Sequence, residues 1–444
     1  MAITRRNFVQ KVVAGSGLVL GGLGTLEGSE AAAPPARPAG ESTSPRSAVA
    51  GAAPHPLYEK PAPLTLAELA KWETTGVSAF EVSDYAPGDY QGSLEPSPPH
   101  ADLNPNKAII VVWKDGSHRF VFSHEASYCP WMELPNGVGL CNQFFEGNEG
   151  WAELFNQNGR KEHNSSVDII QSGPGRVWVR WNYCCVNQQD DSHPALRGTE
   201  DYVAWPNGYV WRRLTYETLM PGKPDGYSWQ PLDFFALAPT GTTWKDLFPQ
   251  DPQHGDYHVG SVLAAYTNLQ YDVYWDDEGK ARRRGNAELL LEISHSPGFA
   301  LVMPFKAGFL FTILGGASGF PPEKSQVVDH SFNDTGGWGW GAARWDHWPI
   351  GWLNSQTHDY KPGSPYPYSF GPFSHYIVDE PLKNPPHDYP VEVRDMKLNR
   401  WSERHVYYTL TGMSHDLESI RKLAREWLDQ GNGCAEPESV ASLR

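Results

Sequence analysis

The sequence predicts an all-β fold, and three observations predict it. Aromatic residues make up 13% of the chain, and 43 Gly with 38 Pro punctuate it, a composition that favours short strands and tight turns. Short apolar runs recur on either side of turn-forming tetrapeptides. Only one stretch, near the C-terminus, carries an apolar stripe at helical spacing. Meanders of this kind build either a sandwich or a propeller, and periodicity alone does not choose between them.

Taken in order, residues 109–113 turn at Lys114-Asp115-Gly116-Ser117 into 119–122, a hairpin with an Asp-Gly turn. Residues 167–170 turn at Ser172-Gly173-Pro174-Gly175 into 176–183, and 202–205 turn at Pro206-Asn207-Gly208 into 209–215. Residues 271–275 end at Asp276-Asp277-Glu278-Gly279. Residues 289–294 and 299–304 are expected to pair across His295-Ser296-Pro297-Gly298. One helix closes the domain. Ser414 is its expected cap, and Leu417, Ile420, Leu423, Ala424, Trp427 and Leu428 form its apolar stripe, a docking face. Glu418 and Lys422 are spaced as an i,i+4 pair, and Gly431 ends the helix.

The N-terminus reads as an export signal. Thr4-Arg5-Arg6-Asn7-Phe8-Val9 resembles the twin-arginine pattern, and an apolar, Gly-rich run and then small residues follow it. Cleavage is placed near Ala31, because a cut after Ala33 would leave Pro34 first. Residues 1–31 are therefore a twin-arginine-type signal peptide, and the product is periplasmic or secreted. The Pro/Ala/Ser-rich residues 32–57 cannot bury a core and read as a disordered tether. Residues 58–431 form the domain, and 432–444 a flexible tail. No other stretch approaches membrane length, so no membrane span is expected, and the protein is expected to be a monomer.

A net charge of −16 argues against nucleic acid and against an anionic membrane surface as partners. An anionic polysaccharide would need local cationic contacts. Arg160-Lys161, Arg212-Arg213 and Arg282-Arg283-Arg284 are the candidates, the last read as a solvated hairpin edge. The five Cys lack any CxxC spacing, and Cys184-Cys185 point to opposite faces of one strand. The export compartment permits a disulfide, but the sequence shows none.

Residues 329–356 are the most distinctive part of the chain. Five of the eighteen Trp fall between Trp338 and Trp352, among Asp334, Arg344, Asp346, His347, Asn354 and Gln356. A Trp offers a flat apolar face and one N–H donor, which suits a core corner or a sugar-stacking wall. The mixture with amides and charges points to a saccharide.

Several segments resemble one family. Ser127-Tyr128-Cys129-Pro130-Trp131, Asn142-Gln143-Phe144-Phe145-Glu146, Val167-Asp168-Ile169-Ile170 and the strand from Arg176 to Tyr183 resemble the ulvan lyases built on seven-bladed β-propellers. The hairpin from Tyr202 to Arg212, the block Arg344-Trp345-Asp346-His347-Trp348-Pro349-Ile350-Gly351-Trp352-Leu353-Asn354-Ser355-Gln356 and the terminal helix fit the same family. The likeness spans roughly residues 105–430 and implies a seven-bladed β-propeller with a short C-terminal helix. It also implies β-elimination on a uronate-containing algal polysaccharide. A His/Tyr pair then moves the proton, while His and Arg neutralise the uronate carboxylate.

Their neighbouring motifs match His163, Tyr202 and Arg212 to the catalytic set. Asn142, Gln143, Arg344, His347 and Trp348 are matched to substrate binding. One departure stands out: Gln143 lies twenty residues before His163, where the family pattern has a second His. Some relatives carry a metal, and His254, His258 and His295 are the candidate ligands here for a structural Zn or Ca, an incomplete set.

The residue types fit the chemistry. Removing a proton alpha to a carboxylate builds a doubly charged enolate, so the site must first supply donors or a cation, roles suited to Asn142, Gln143 and Arg212. A base near working pH is then needed, naturally His163, and Tyr202 can pass a proton to the departing oxygen. Two other readings stand beside the lyase. A glycoside hydrolase would need paired carboxylates, for which Glu133, Glu146, Asp334 and Asp346 can be nominated without any pair being marked out. A non-catalytic carbohydrate-binding protein would keep the Trp-rich wall and lack a base.

Overall fold

The computed structural model describes residues 62–73, 75–85, 107–141, 146–147, 152–153, 165–187, 194–218, 227–239, 241–315, 325–329, 368–379, 404–431 and 435–440. The expected signal peptide and tether, Arg160-Lys161 and the Trp-rich block from Trp338 to Trp352 lie outside these residues.

The described strands form two antiparallel sheets. The first runs β8 (Ser165–Gly173), β9 (Arg176–Asn187), β10 (Pro194–Ala204), β11 (Val210–Thr218), β20 (Arg404–Ser414), β17 (Leu310–Gly315), β16 (Phe299–Pro304), β13 (Tyr257–Ala264), β14 (Gln270–Trp275) and β15 (Ala281–Arg284). The second runs β1 (Val77–Val82), β2 (Ala108–Trp113), β3 (Arg119–Ser123), β4 (Pro130–Glu133), β5 (Gly139–Cys141), β12 (Tyr227–Ala238), β19 (Tyr368–Asp379) and β18 (Ser325–Asp329). Two short strands, β6 (Glu146–Gly147) and β7 (Ala152–Glu153), carry the pairing from β12 across to β9.

The all-β class holds. The seven-bladed ring is another matter, because a blade is a separate four-stranded sheet. Here the pairing runs on from strand to strand through both long sheets, and no closed propeller or blade count emerges among the described residues.

Period-two alternation explains the packing. In β9, Val177, Val179, Trp181, Tyr183 and Cys185 point between the sheets, while Trp178 points away. They meet Ile109, Val111, Phe120 and Phe122 of the second sheet in one apolar core. Outside the first sheet, α4 (Leu417–Asp429) lays Ile420, Ala424 and Trp427 on Trp205, Trp211, Val302 and Leu410. Its stripe is the docking face the sequence predicts. Outside the second sheet, the short α1 (Leu66–Leu69) sets Leu69 against Phe80, Val121 and Trp131.

Several expectations are corrected. Residues 287–294 form a helix, α3 (Ala287–Ser294), because the Asn286 side chain caps Leu289 N–H at 2.6 Å and Leu290 and Ile293 share its buried side. β16 pairs instead with β17 and β13. Asp416, not Ser414, caps α4, accepting from Ser419 N–H at 2.8 Å. Glu418 reaches Arg425 rather than Lys422, which lies 3.7 Å from Glu426. Within the expected tail, Val440 is buried against α4's cluster, and Glu436 pairs with Arg213. The arginine run is not simply solvated. Arg283 turns inward to Asp329 at 2.9 Å, while Arg282 pairs with Asp276 and Arg284 with Asp251.

Among the described residues no disulfide joins Cys129, Cys141, Cys184 or Cys185 to one another, and no helix is long and apolar enough to cross a membrane.

One glycine shows how tightly the interior is fitted. Gly198 of β10 faces Tyr183 of β9, and a Cβ there would enter the Tyr183 ring. Gly198→Ala is expected to cost about 1–3 kcal/mol by overpacking. Urea unfolding followed by Trp fluorescence checks it; an unchanged midpoint would mean Tyr183 does not pack there.

Candidate functional site

The strongest polar cluster lies between the sheets. Tyr202 and Arg212 stand directly opposite each other on β10 and β11. Two residues before Tyr202, and so on the same face, Glu200 also points inward. Arg212 grips Glu200 with two donors, Nε at 2.5 Å and Nη2 at 2.9 Å. The Tyr202 hydroxyl donates to Glu200 Oε2, and Tyr183 donates to Oε1 at 2.8 Å. Arg212 Nη1 crosses to the second sheet and donates to the Pro231 carbonyl at 2.8 Å. That carbonyl lies where β12 bulges between Trp229 and Leu232.

A second bridge lies alongside. His375 of β19 and Tyr407 of β20 share a hydrogen bond of 2.7 Å, His375 Nδ1 to the Tyr407 hydroxyl. Tyr407 faces Leu214, two residues along β11 from Arg212, so the two bridges share one face of the sheet.

Burial dominates the electrostatics. Glu200 is 0% exposed and Arg212 1%. Desolvation alone would lower the guanidinium's pKa, but the Glu200 carboxylate more than offsets it and the result is raised. Burial first, and Glu200 second, hold the hydroxyls of Tyr202 and Tyr183 well above the usual tyrosine range. Burial pushes the His375 imidazole down to about 3, so it is neutral at pH 7.

A strained turn supports this cluster. Ser127 and Tyr128 are consecutive non-glycine residues in the left-handed region, with φ 53° and 63°. The Ser127 carbonyl accepts from Trp181 Nε1 at 3.1 Å, and Trp181 packs its ring 4.3 Å from Tyr183. Strain of this kind costs on the order of 1–3 kcal/mol per residue and persists where the surroundings enforce it. Burial pushes the Tyr128 hydroxyl up to about 12, with Glu81 and Asp168 adding to the effect.

Of the sequence candidates, Tyr202 and Arg212 are therefore brought together. Both are enclosed, with Tyr202 packed on Phe120 and Phe122 at 5.5 and 5.2 Å. Asn142, Gln143, His163, Arg344, His347 and Trp348 lie outside the described residues. Glu200, His375 and Tyr407 were not foreseen. For Glu200 a signal existed: in Thr199-Glu200-Asp201-Tyr202 it shares a face with Tyr202, opposite Arg212.

The histidines nominated as metal ligands do not converge. His254 Nδ1 lies 2.9 Å from Asp251, His258 Nε2 lies 3.0 Å from Ser261 Oγ, and His295 is exposed at the end of α3. The His258 ring stacks on Tyr274 at 4.6 Å, and Arg284 covers the same tyrosine at 3.9 Å. Among the described residues, no three His, Cys, Asp or Glu side chains are arranged to hold a metal. The hydrolase nominee Glu133 is 0% exposed and ion-paired with Arg119 at 2.5 Å, so it faces no ligand. Glu146's side chain, Asp334 and Asp346 lie outside the described residues.

No family model and no curated protein matches this sequence. Among solved structures, a galactose 1-epimerase from Lactobacillus acidophilus NCFM aligns at 7% identity with a TM-score of 0.31, covering 77% of this chain and 100% of that one. A likeness at that level carries no functional argument.

Proposed function

We propose that this protein is an exported polysaccharide lyase that cleaves a uronate-containing polysaccharide by β-elimination, with ulvan as the first candidate substrate. One observation carries the reading. Tyr202 and Arg212, nominated for proton transfer and carboxylate neutralisation, sit opposite each other and meet through Glu200, with the His375–Tyr407 pair alongside. The proposal takes the reaction from the resemblance and does not depend on its seven-bladed ring.

The chemical requirements fix the roles. Arg212 offers the fork that suits a carboxylate, and Glu200 now holds it, so a uronate must compete with Glu200 for those donors. Tyr202, held protonated, suits delivery of a proton to the leaving oxygen rather than removal of one. The base is assigned to His163, two positions before Ser165, the residue that begins β8 and pairs with Tyr183. The full burial of Tyr202 and Arg212 favours a second reading, a non-catalytic carbohydrate-binding protein in which this cluster only ties the sheets together.

The purified protein is tested on ulvan and other uronate polymers by near-ultraviolet absorbance of the unsaturated product. The rate is expected to fall about 10²–10⁴-fold in His163→Ala, with circular dichroism unchanged. New reducing ends without that absorbance would make it a hydrolase. Binding without any cleavage would leave the carbohydrate-binding reading.

A further inference from the structure

Of the pair Arg212-Arg213, the Glu200 cluster uses only the first. Arg213 points the other way, onto the outer face of the first sheet. Asp201 of β10 stands there directly between Arg213 of β11 and Arg180 of β9, so a cation, a carboxylate and a cation cross three strands in one row. Period two also puts Arg176 and Trp178 on this face of β9. The guanidinium of Arg180 lies 5.2 Å from the Trp178 ring and that of Arg176 6.0 Å, a ladder of cation, flat ring and cation.

The row holds donors that the protein leaves free. Asp201 Oδ1 accepts from Trp178 Nε1 and from Arg180 Nε, each at 2.8 Å. Those bonds fix the Arg180 side chain and leave its two Nη groups without a partner among the described residues. Arg180 is 36% exposed, so these groups reach solvent. Arg213 donates from Nη1 to Glu436, and its Nε has no partner among the described residues.

The Glu436 carboxylate is a replaceable occupant. Its side chain is 65% exposed, and an ion pair of that kind holds weakly in water. The segment that carries it is anchored by other groups: the Pro437 and Glu438 carbonyls accept from Arg176, and Pro437 and Val440 are buried against the sheet. The carboxylate can therefore swing away from Arg213 while its backbone stays in place.

The row then selects its ligand by charge. Two guanidinium groups around one carboxylate leave a single positive charge, and their forks match a carboxylate. The protein's net charge of −16 repels a densely charged chain such as nucleic acid. A polymer whose carboxylates are separated by neutral sugars places one anion in the row, as Ala435-Glu436-Pro437 does now.

We propose that Arg180 and Arg213 form a surface subsite for a uronate carboxylate of a polysaccharide, and that Glu436 occupies it when no polymer is bound. The identity of the ligand rests on the polysaccharide reading above; the subsite does not require the lyase chemistry. Affinity electrophoresis of the full chain in gels containing ulvan, polygalacturonate or dextran tests it, with His163→Ala as the background that leaves ulvan intact. Glu436→Gln is expected to bind the two uronate polymers about tenfold more tightly, and Arg213→Gln and Arg180→Lys about tenfold more weakly, with circular dichroism unchanged. Glu438→Gln removes the same charge two residues away and is expected to bind like the parent. Dextran, which has no carboxylate, is expected not to bind. The subsite is overturned if Glu436→Gln and Glu438→Gln act alike, if both arginine variants bind like the parent, or if no variant binds a uronate polymer. Unsaturated product from the parent without this binding pattern would leave the lyase and remove the subsite; the pattern without that product would do the reverse.

Discussion

Replacing Arg212 by Met is expected to destabilise the protein by about 3–5 kcal/mol, because it leaves the Glu200 carboxylate charged and unmatched in the core. Nothing at the surface relieves that cost, since Glu200 is 0% exposed and its remaining partners are the two tyrosine hydroxyls. The double variant Arg212→Met/Glu200→Leu is expected to regain part of the loss, because removing both charges also removes their desolvation cost. It cannot regain all of it. Tyr183 and Tyr202 would each lose their acceptor, at about 1–3 kcal/mol per stranded hydroxyl. Urea unfolding of parent, single and double variants measures the difference. A single variant as stable as the parent would mean that Glu200 is not held as a buried charge. The result also decides how activity is read. If Arg212→Met is folded but inactive while the double variant is stable and still inactive, Arg212 acts on substrate and not only on Glu200.

Much of the architecture was legible in the chain. The hairpins around Asp115-Gly116, Pro174-Gly175 and Asn207-Gly208 sit where the turn residues place them, with φ +63° at Gly116 and +86° at Gly208. Turn chemistry is local, so a single sequence reveals it. The sheet order is not local. β20 inserts between β11 and β17 across nearly two hundred residues of sequence separation from β11, and no hairpin signal encodes that pairing. For the same reason the meander pattern left the choice of architecture open. The error at 287–294 has another cause: Leu289, Leu290, Leu291 and Ile293 suit a buried strand or a short helix, and Asn286 decides for the helix by capping it.

The site was half legible. Neighbours on a strand face opposite ways, and here Arg212 points into the core to Glu200 while Arg213 turns out to Glu436. Its partner in the second sheet was not readable, since the Pro231 carbonyl is offered only by the bulge in β12. His375 was invisible for a similar reason: only packing brings β19 and β20 together around its bond to Tyr407.

The burial of His375 leads to an expected acid lability. An unfolded histidine takes its proton near pH 6.5, whereas His375 in the fold takes it only near 3, because burial disfavours the charged ring. Between those values the unfolded chain binds the extra proton, so stability is fully present above about pH 6.5 and falls as pH drops through this window. At about 1.36 kcal/mol per pH unit, His375 alone withdraws roughly 3 kcal/mol by pH 4. His118 acts in the same direction down to about pH 4 and adds a comparable amount. Urea midpoints at several pH values between 7 and 4 should therefore fall steeply, and His375→Gln, whose amide can still bond Tyr407, should flatten the slope. A parent curve flat across that range would sink the idea. The location gives the effect its meaning. Protonated His375 would stand between the sheets beside Tyr407, on the face that also carries the Arg212 guanidinium, and the only carboxylate of that cluster, Glu200, is already committed to Arg212 and two tyrosines. Acid would thus weaken the contact where β19 meets β20, one of the bridges that tie the second sheet to the first.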